Sequence, residues 1–126
     1  MTAFVRVLVG LVALFFVVFG LRFVLTPEAM AGGDFAILPV GVPGLATVRG
    51  DLGGAFLAVG ILTILGLANR ARTWFYAAAI VVGTIAACRI VGFALDGLNR
   101  ITAVPFAVEL IMVAILLTGA RRLPSN

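Results

Sequence analysis

The fold is decided by residues 74–97, which read WFYAAAIVVGTIAACRIVGFALDG. This run is long enough to cross a bilayer, since a transmembrane helix needs about 20 predominantly apolar residues. It nevertheless contains Arg89, and an arginine inside a membrane span is costly unless it meets a polar partner or water. Asp96 follows on the same helix face about two turns away. Arg89 is therefore the first candidate for a functional site.

Three more apolar runs accompany this one, and the composition of the whole chain agrees with them. Of its 126 residues, 63% are hydrophobic and 11% are charged, whereas a soluble domain carries roughly a quarter charged residues. We predict an all-α fold: a single integral membrane domain over residues 1–126, built as a four-helix bundle. The predicted spans are residues 4–25, 52–68, 74–95 and 101–118.

The first run also resembles a signal peptide, but its length and the charged segment after it favour a retained helix. A Pro/Gly-rich connector, Thr26–Thr47, is predicted between helices 1 and 2. Thr26, Pro27 and Glu28 are typical of a helix start, and Gly32 and Gly33 of its end. The remainder is either a segment folded over one end of the bundle or an ordinary hydrophobic loop.

Rows of small residues recur every four positions in two of the spans, and such rows allow helices to approach closely. They predict which helix faces form contacts. The rows are Gly50, Gly54 and Ala58 in the second span, and Ala79, Gly83 and Ala87 in the third.

The basic residues are nine arginines, with no lysine. One side of the predicted bundle carries Arg6, Arg70, Arg72, Arg121 and Arg122, and the other carries Arg49 and Arg100. By the positive-inside rule this asymmetry predicts that both termini lie in the cytoplasm; for a bacterial protein the membrane is then the cytoplasmic (inner) membrane. Because these arginines flank apolar runs, nucleic acid is not a predicted partner. The chain has no histidine and a single cysteine, Cys88, so neither a metal site nor a cofactor is predicted.

Charged residues concentrate in the outer half of the bundle. At the helical rise, Arg22 lies roughly 5 Å deep, Arg89 roughly 9 Å and Glu109 roughly 12 Å. We predict that the charged ends of Arg89 and Glu109 meet or share a bridging water, with Arg22 or Asp96 completing their network. The alternatives are an ion pair that locks two helices together and a pair that lines a ligand pocket. The predicted ligand-binding cluster is Arg22, Arg49, Asp51, Arg89, Asp96 and Glu109.

The chain resembles a bacterial membrane-protein family known only as a domain of unknown function (number four-three-four-five). The pieces that carry the resemblance are Gly20–Phe23 with Pro27 and Glu28, Val48–Asp51, Arg89–Gly92, Asp96 with Gly97, and Glu109. The resemblance implies a small four-helix membrane protein and carries over no catalytic residues. A more distant similarity to DoxX-like membrane proteins is one of fold alone.

Three functions compete at this point. The first is a binding protein that holds an amphiphile or lipid with an anionic head group, since arginine suits phosphate and carboxylate. The second is an accessory or structural subunit that docks onto a larger membrane complex or a second copy of itself. The third is a membrane-embedded enzyme in which Glu109 and Asp96 act as acid and base. The sequence favours a non-enzymatic role.

Overall fold

A computed structural model describes residues 1–32 and 35–123 of the chain. Gly33, at which a short helix was predicted to end, lies outside the described residues. Four helical segments are long and apolar enough to cross a membrane: residues 3–25, 41–69, 72–96 and 100–121. The predicted all-α fold is thus confirmed. The helices are α1 (Ala3–Leu25), α2 (Pro27–Ala31), α3 (Gly41–Thr47), a π-helical turn (Val48–Gly53), α4 (Gly54–Asn69), α5 (Arg72–Asp96) and α6 (Arg100–Arg121).

Local signals set several of the helix ends. The Thr2 hydroxyl accepts a hydrogen bond from the backbone N–H of Val5 at the start of α1. The Asn99 side chain accepts one from Thr102 at 3.0 Å at the start of α6. Helix α5 ends at Gly97, whose φ of 89° favours glycine. These caps satisfy backbone groups that a helix end leaves without partners.

The four long segments form a ring in which each packs against two neighbours. Helix α1 contacts α4 and α6, and α5 contacts the same two helices. Short turns join α4 to α5 and α5 to α6, so neighbouring helices run antiparallel. We call the end with residues 26–32, residues 35–47 and the α5–α6 turn the connector end, and the end with Ala3 and Arg121 the terminal end.

The half of the bundle nearer the terminal end is closed by a continuous core. Val9 of α1, Val59 of α4, Phe75 of α5 and Leu116 of α6 are each 0% exposed and belong to this core. A Cβ built on Gly66 would lie 2.5 Å from the Phe75 ring. Only glycine therefore leaves room for that ring between α4 and α5.

A second core lies at the connector end, around α1. Phe23 is fully buried, and Met30 and Val48 pack with it. We call Phe15, Phe16, Phe19, Phe23, Phe35 and Phe56 the phenylalanine cluster. Because this cluster joins α1, the connector and the start of α4, it holds the connector against one side of the bundle.

The predicted connector is too long, because the chain is helical again from Gly41 onward. Pro43 lies in the first turn of α3, where its missing N–H costs no helical hydrogen bond. Glycine and proline here start a helix, although in the sequence they indicate a loop. Helix α3, the π-helical turn and α4 together form one continuous segment, Gly41–Asn69.

The predicted contact row of Gly50, Gly54 and Ala58 is also wrong. A Cβ on Gly50 or Gly54 would meet nothing within 4 Å, and Ala58 is exposed. The face that packs against α1 carries Gly53 and Gly60, whose Cβ atoms would lie 2.7 Å from Val24 and Val17 respectively. Both rows have helical spacing, and the packing of α1 selects between them.

In the third span, Ala79 is buried, Gly83 approaches Val113, and Ala87 is exposed. The predicted contact row therefore holds only over its first part. It fails where α5 enters the connector half, since no neighbouring helix covers Ala87 there.

Candidate polar site in the connector half

Arg89 of α5 and Glu109 of α6 form an ion pair. The Nε–H of Arg89 donates to both carboxylate oxygens of Glu109, at 2.8 Å to Oε1 and 2.9 Å to Oε2. The side chains are 30% and 14% exposed respectively. The predicted contact between these residues is confirmed, while a ligand-binding role for them stays a prediction.

Each partner continues the buried row of its own helix. Arg89 follows Val82 and Ala86 at helical spacing on α5, and Glu109 precedes Met112 and Leu116 on α6. Burial stops where the charged residues begin, since Ala86 is the last buried residue of α5 and Met112 the first of α6. The pair therefore faces the inside of the bundle at a level where α1 and α4 no longer cover it.

An aromatic contact holds α5 to α6 beside the ion pair. The rings of Phe93 and Phe106 meet edge to face, with centroids 5.3 Å apart. Both rings are half-buried. This contact holds α5 against α6 in the connector half, where α1 and α4 do not cover the two helices.

Arg89 also lines an open groove of about 480 Å³ on α5 beneath the α5–α6 turn. We call it the polar groove. A Cβ on Gly92, at its centre, would meet nothing within 4 Å. The polar residues that line the groove are Thr84, Cys88, Arg89, Asp96, Asn99 and Thr102.

A second groove of about 440 Å³ adjoins the first and shares Thr84 and Cys88 with it. We call it the apolar groove. Its other walls are Ile80, Gly83, Ala87 and Val91. The Thr84 hydroxyl donates to the Ile80 carbonyl at 2.8 Å, so its hydrogen is already used within the helix. The apolar groove therefore offers hydrocarbon contact.

The guanidinium of Arg89 keeps most of its donors. An arginine side chain has five N–H groups, and the contact with Glu109 uses only the one on Nε. Within residues 1–32 and 35–123, no protein acceptor bonds to Nη1 or Nη2 of Arg89. The carboxylate thus orients the guanidinium and leaves four N–H groups for another acceptor.

Neither Arg22 nor Asp96 completes the network, and that part of the prediction is wrong. In the described part of the chain, the one ion pair is that of Arg89 with Glu109. Arg22 lies on an exposed face of α1. Asp96 lies roughly 10 Å from Arg89 along the α5 axis. Asp96 nevertheless shares the polar groove with Arg89.

Arg49 has a contact elsewhere. Its Nη1 donates to the backbone carbonyl of Val24 in the last turn of α1. A cation suits the free carbonyls and the negative dipole end of a helix C-terminus. Arg49 therefore ties the π-helical turn to α1. Asp51, in the same turn, is exposed, so the six predicted residues do not form one cluster.

Cys88, Asn99 and Thr102 line the groove but were not among the predicted site residues. One signal for Cys88 was present in the sequence: Thr84, Cys88, Gly92 and Asp96 recur every four residues and so share one helix face. Asn99 and Thr102 line the groove because of the shape of the α5–α6 turn, and no pattern in the sequence indicates that shape. In the parts of the chain described here, no group of three His, Cys, Asp or Glu residues is placed to hold a metal ion.

Comparison of the chain with protein-family models, with curated proteins and with solved structures finds no match. The resemblances drawn from the sequence therefore stay predictions. The ion pair and the two grooves are the features of the chain that bear on its function.

Proposed function

We propose that this membrane protein binds an amphiphile at the polar groove, with an anionic group of the ligand on Arg89. One observation carries the proposal: Arg89 lines an open groove, and Glu109 binds it through Nε alone, which leaves four further N–H groups of its guanidinium for a ligand. Guanidinium groups bind phosphate and carboxylate oxygens in pairs. The adjoining apolar groove accommodates the hydrocarbon part of the same ligand.

The geometry favours binding over acid–base catalysis. Glu109 is bound to Arg89 and does not line the polar groove, whereas Asp96 lies at the mouth of that groove. An acid and a base that act on one substrate must both reach its reacting atoms. These two carboxylates are not placed to do so.

The binding test compares two leucine variants of helical glycines. Gly92→Leu fills the polar groove, and Gly54→Leu is its control, because a Cβ at either position meets nothing within 4 Å. Native mass spectrometry of the detergent-purified proteins then measures the lipid bound per bundle. We expect Gly92→Leu to lose about tenfold or more of the bound lipid, and Gly54→Leu to match wild type.

Equal lipid retention by wild type and Gly92→Leu, both folded by circular dichroism, would contradict the proposal. If, in that case, a larger membrane protein co-purifies at fixed stoichiometry, the function of an accessory subunit replaces the proposed lipid binding. Arg89→Gln serves as a second variant, and it should lose the same lipid as Gly92→Leu. Arg100→Gln, an exposed arginine at the same end of the bundle, is the control for charge.

We further propose that the protein lies in a bacterial cytoplasmic membrane with both termini in the cytoplasm. The terminal end carries Arg6, Arg70, Arg72, Arg121 and Arg122, which supports this orientation through the positive-inside rule. Single cysteines at Leu98 and at Asn69, in a Cys88→Ser background, test it with a membrane-impermeant thiol reagent. In intact spheroplasts Leu98→Cys should react and Asn69→Cys should not. The reverse pattern would invert the orientation.

A further inference from the structure

The charges of the polar groove do not match a purely anionic ligand. The positive charge of Arg89 is already offset by Glu109 at 2.8 Å. Asp96 lines the same groove, is exposed, and forms no ion pair within the described ranges. An anionic head group on Arg89 would therefore leave a second negative charge nearby without compensation. A head group that also carries a cation removes this conflict.

We propose that the ligand is a zwitterionic phospholipid whose phosphate binds Arg89 and whose primary amine binds Asp96. This inference rests on the proposed function and specifies its ligand. Both side chains line one groove, and they are roughly 10 Å apart along the helix axis. Part of that separation is spanned by the hydrogen bonds at the two ends of the head group, each about 2.8 Å long. One head group then bridges the two charges.

The order of the groups along α5 matches the order of groups in a phospholipid. The apolar groove begins at Ile80, nearer the middle of the bundle. Arg89 follows toward the connector end, and Asp96 lies at the end of the helix. Acyl chain, phosphate and amine succeed one another in the same direction in a bilayer leaflet. A lipid from the leaflet at the connector end therefore enters the grooves without inverting.

The chemistry at the mouth favours a primary amine over a quaternary one. An ammonium group donates three hydrogen bonds, and a carboxylate is a strong acceptor for them. The Asn99 side-chain oxygen already accepts the Thr102 N–H at 3.0 Å, so Asp96 is the principal free acceptor there. Recognition of a trimethylammonium group uses a cage of several aromatic rings. The polar groove has one ring, that of Phe93.

The test offers the delipidated protein equal amounts of phosphatidylethanolamine and phosphatidylglycerol with identical acyl chains. Native mass spectrometry measures the ratio of the two bound lipids. We expect wild type to prefer the ethanolamine lipid at least about fivefold. Asp96→Asn should bring that ratio close to one, because the primary amine then loses its charged acceptor while Arg89 still binds the phosphate of either lipid. Asp51→Asn, another exposed acid at the connector end, should keep the wild-type ratio.

Failure of this inference can be told apart from failure of the proposed function. If both lipids bind equally to wild type, or the glycerol lipid is preferred, and Gly92→Leu still abolishes binding, the zwitterionic ligand is wrong and the groove remains a lipid site. If Gly92→Leu changes nothing, both proposals are wrong. Water-soluble glycerophosphoethanolamine should compete poorly, because it lacks the acyl chain that the apolar groove holds. Strong competition by it would overturn the lipid as the source of the head group.

Discussion

The two halves of the bundle are held together by different kinds of contact. Near the terminal end, the four long helices converge on Val9, Phe75 and Leu116, each 0% exposed. Near the connector end, they separate into two pairs: α1 and the π-helical turn meet around Phe23, and α5 meets α6 through Arg89 and Glu109. The terminal half is closed by close packing, and the connector half is open between the two helix pairs.

This difference shows where a membrane bundle of this size can bind a ligand. Lipid is as apolar as leucine, so helices associate through close fit and polar contacts instead of a hydrophobic driving force. In the terminal half the helices fit closely around Phe75, and the buried hydroxyl of Thr63 donates to the Val59 carbonyl of its own helix. In the connector half an ion pair joins α5 to α6 in place of close packing, and the polar groove beside that pair stays accessible.

The largest expected effect comes from breaking the ion pair of the connector half. Removing one partner, by Glu109→Gln or Arg89→Met, leaves the other charge partly buried and without compensation. We expect each change to cost about 3 kcal/mol, the lower end of the range for a buried pair because Arg89 is 30% exposed. The double variant should lose less than the sum. Unfolding in detergent, analysed as a double-mutant cycle, measures this coupling.

Asp96→Asn is the matched control for that cycle, since Asp96 lies on the same helix, and in the described structure it has no ion pair. Its stability should stay within about 0.5 kcal/mol of wild type. Strictly additive losses for Arg89 and Glu109 would mean that the pair does not stabilise the open half.

A smaller effect is expected from disturbing the close fit of the terminal half. In Gly66→Ala the new Cβ would lie 2.5 Å from the Phe75 ring, which is fully buried and has no room to move. We expect a loss of about 2 kcal/mol, as overpacking of a well-fitted core costs about 1–3 kcal/mol. Thermal unfolding in detergent measures it.

Gly54→Ala is the control on the same helix, because its Cβ would meet nothing within 4 Å. It should be neutral or stabilising by up to about 1 kcal/mol, since alanine is the better helix former. Similar melting temperatures for the two variants would show that the terminal half is not more tightly packed than the start of α4.

The smallest effect is expected at the exposed anchor of the connector. Arg49→Gln removes the charged donor to the Val24 carbonyl and should cost about 0.5–1 kcal/mol, the usual value of a cation at a helix C-terminus. Hydrogen exchange should quicken locally in the last turn of α1 with little change in global unfolding. Asp51→Asn, in the same π-helical turn, should leave that exchange unchanged. Faster exchange throughout α1 would instead assign Arg49 a role in the whole connector half.

The four long helices and the contact between Arg89 and Glu109 could be predicted from the sequence. Both follow from local quantities: the length and hydropathy of each run set a span, and the helical rise sets the depth of each charge. Opposite charges at similar depth on neighbouring antiparallel helices have a strong reason to pair, because hydrocarbon offers them no other partner.

The face by which each helix contacts its neighbour could not be predicted from the sequence. Spacing allowed Gly50 and Gly54 to form the contact row as well as Gly53 and Gly60, and packing against α1 selected the second row. The same holds for Arg49, which bonds to the end of α1 instead of joining Arg89. A rotation of a helix about its axis leaves its length, hydropathy and depth unchanged. Only the shapes of the neighbouring helices therefore determine that rotation.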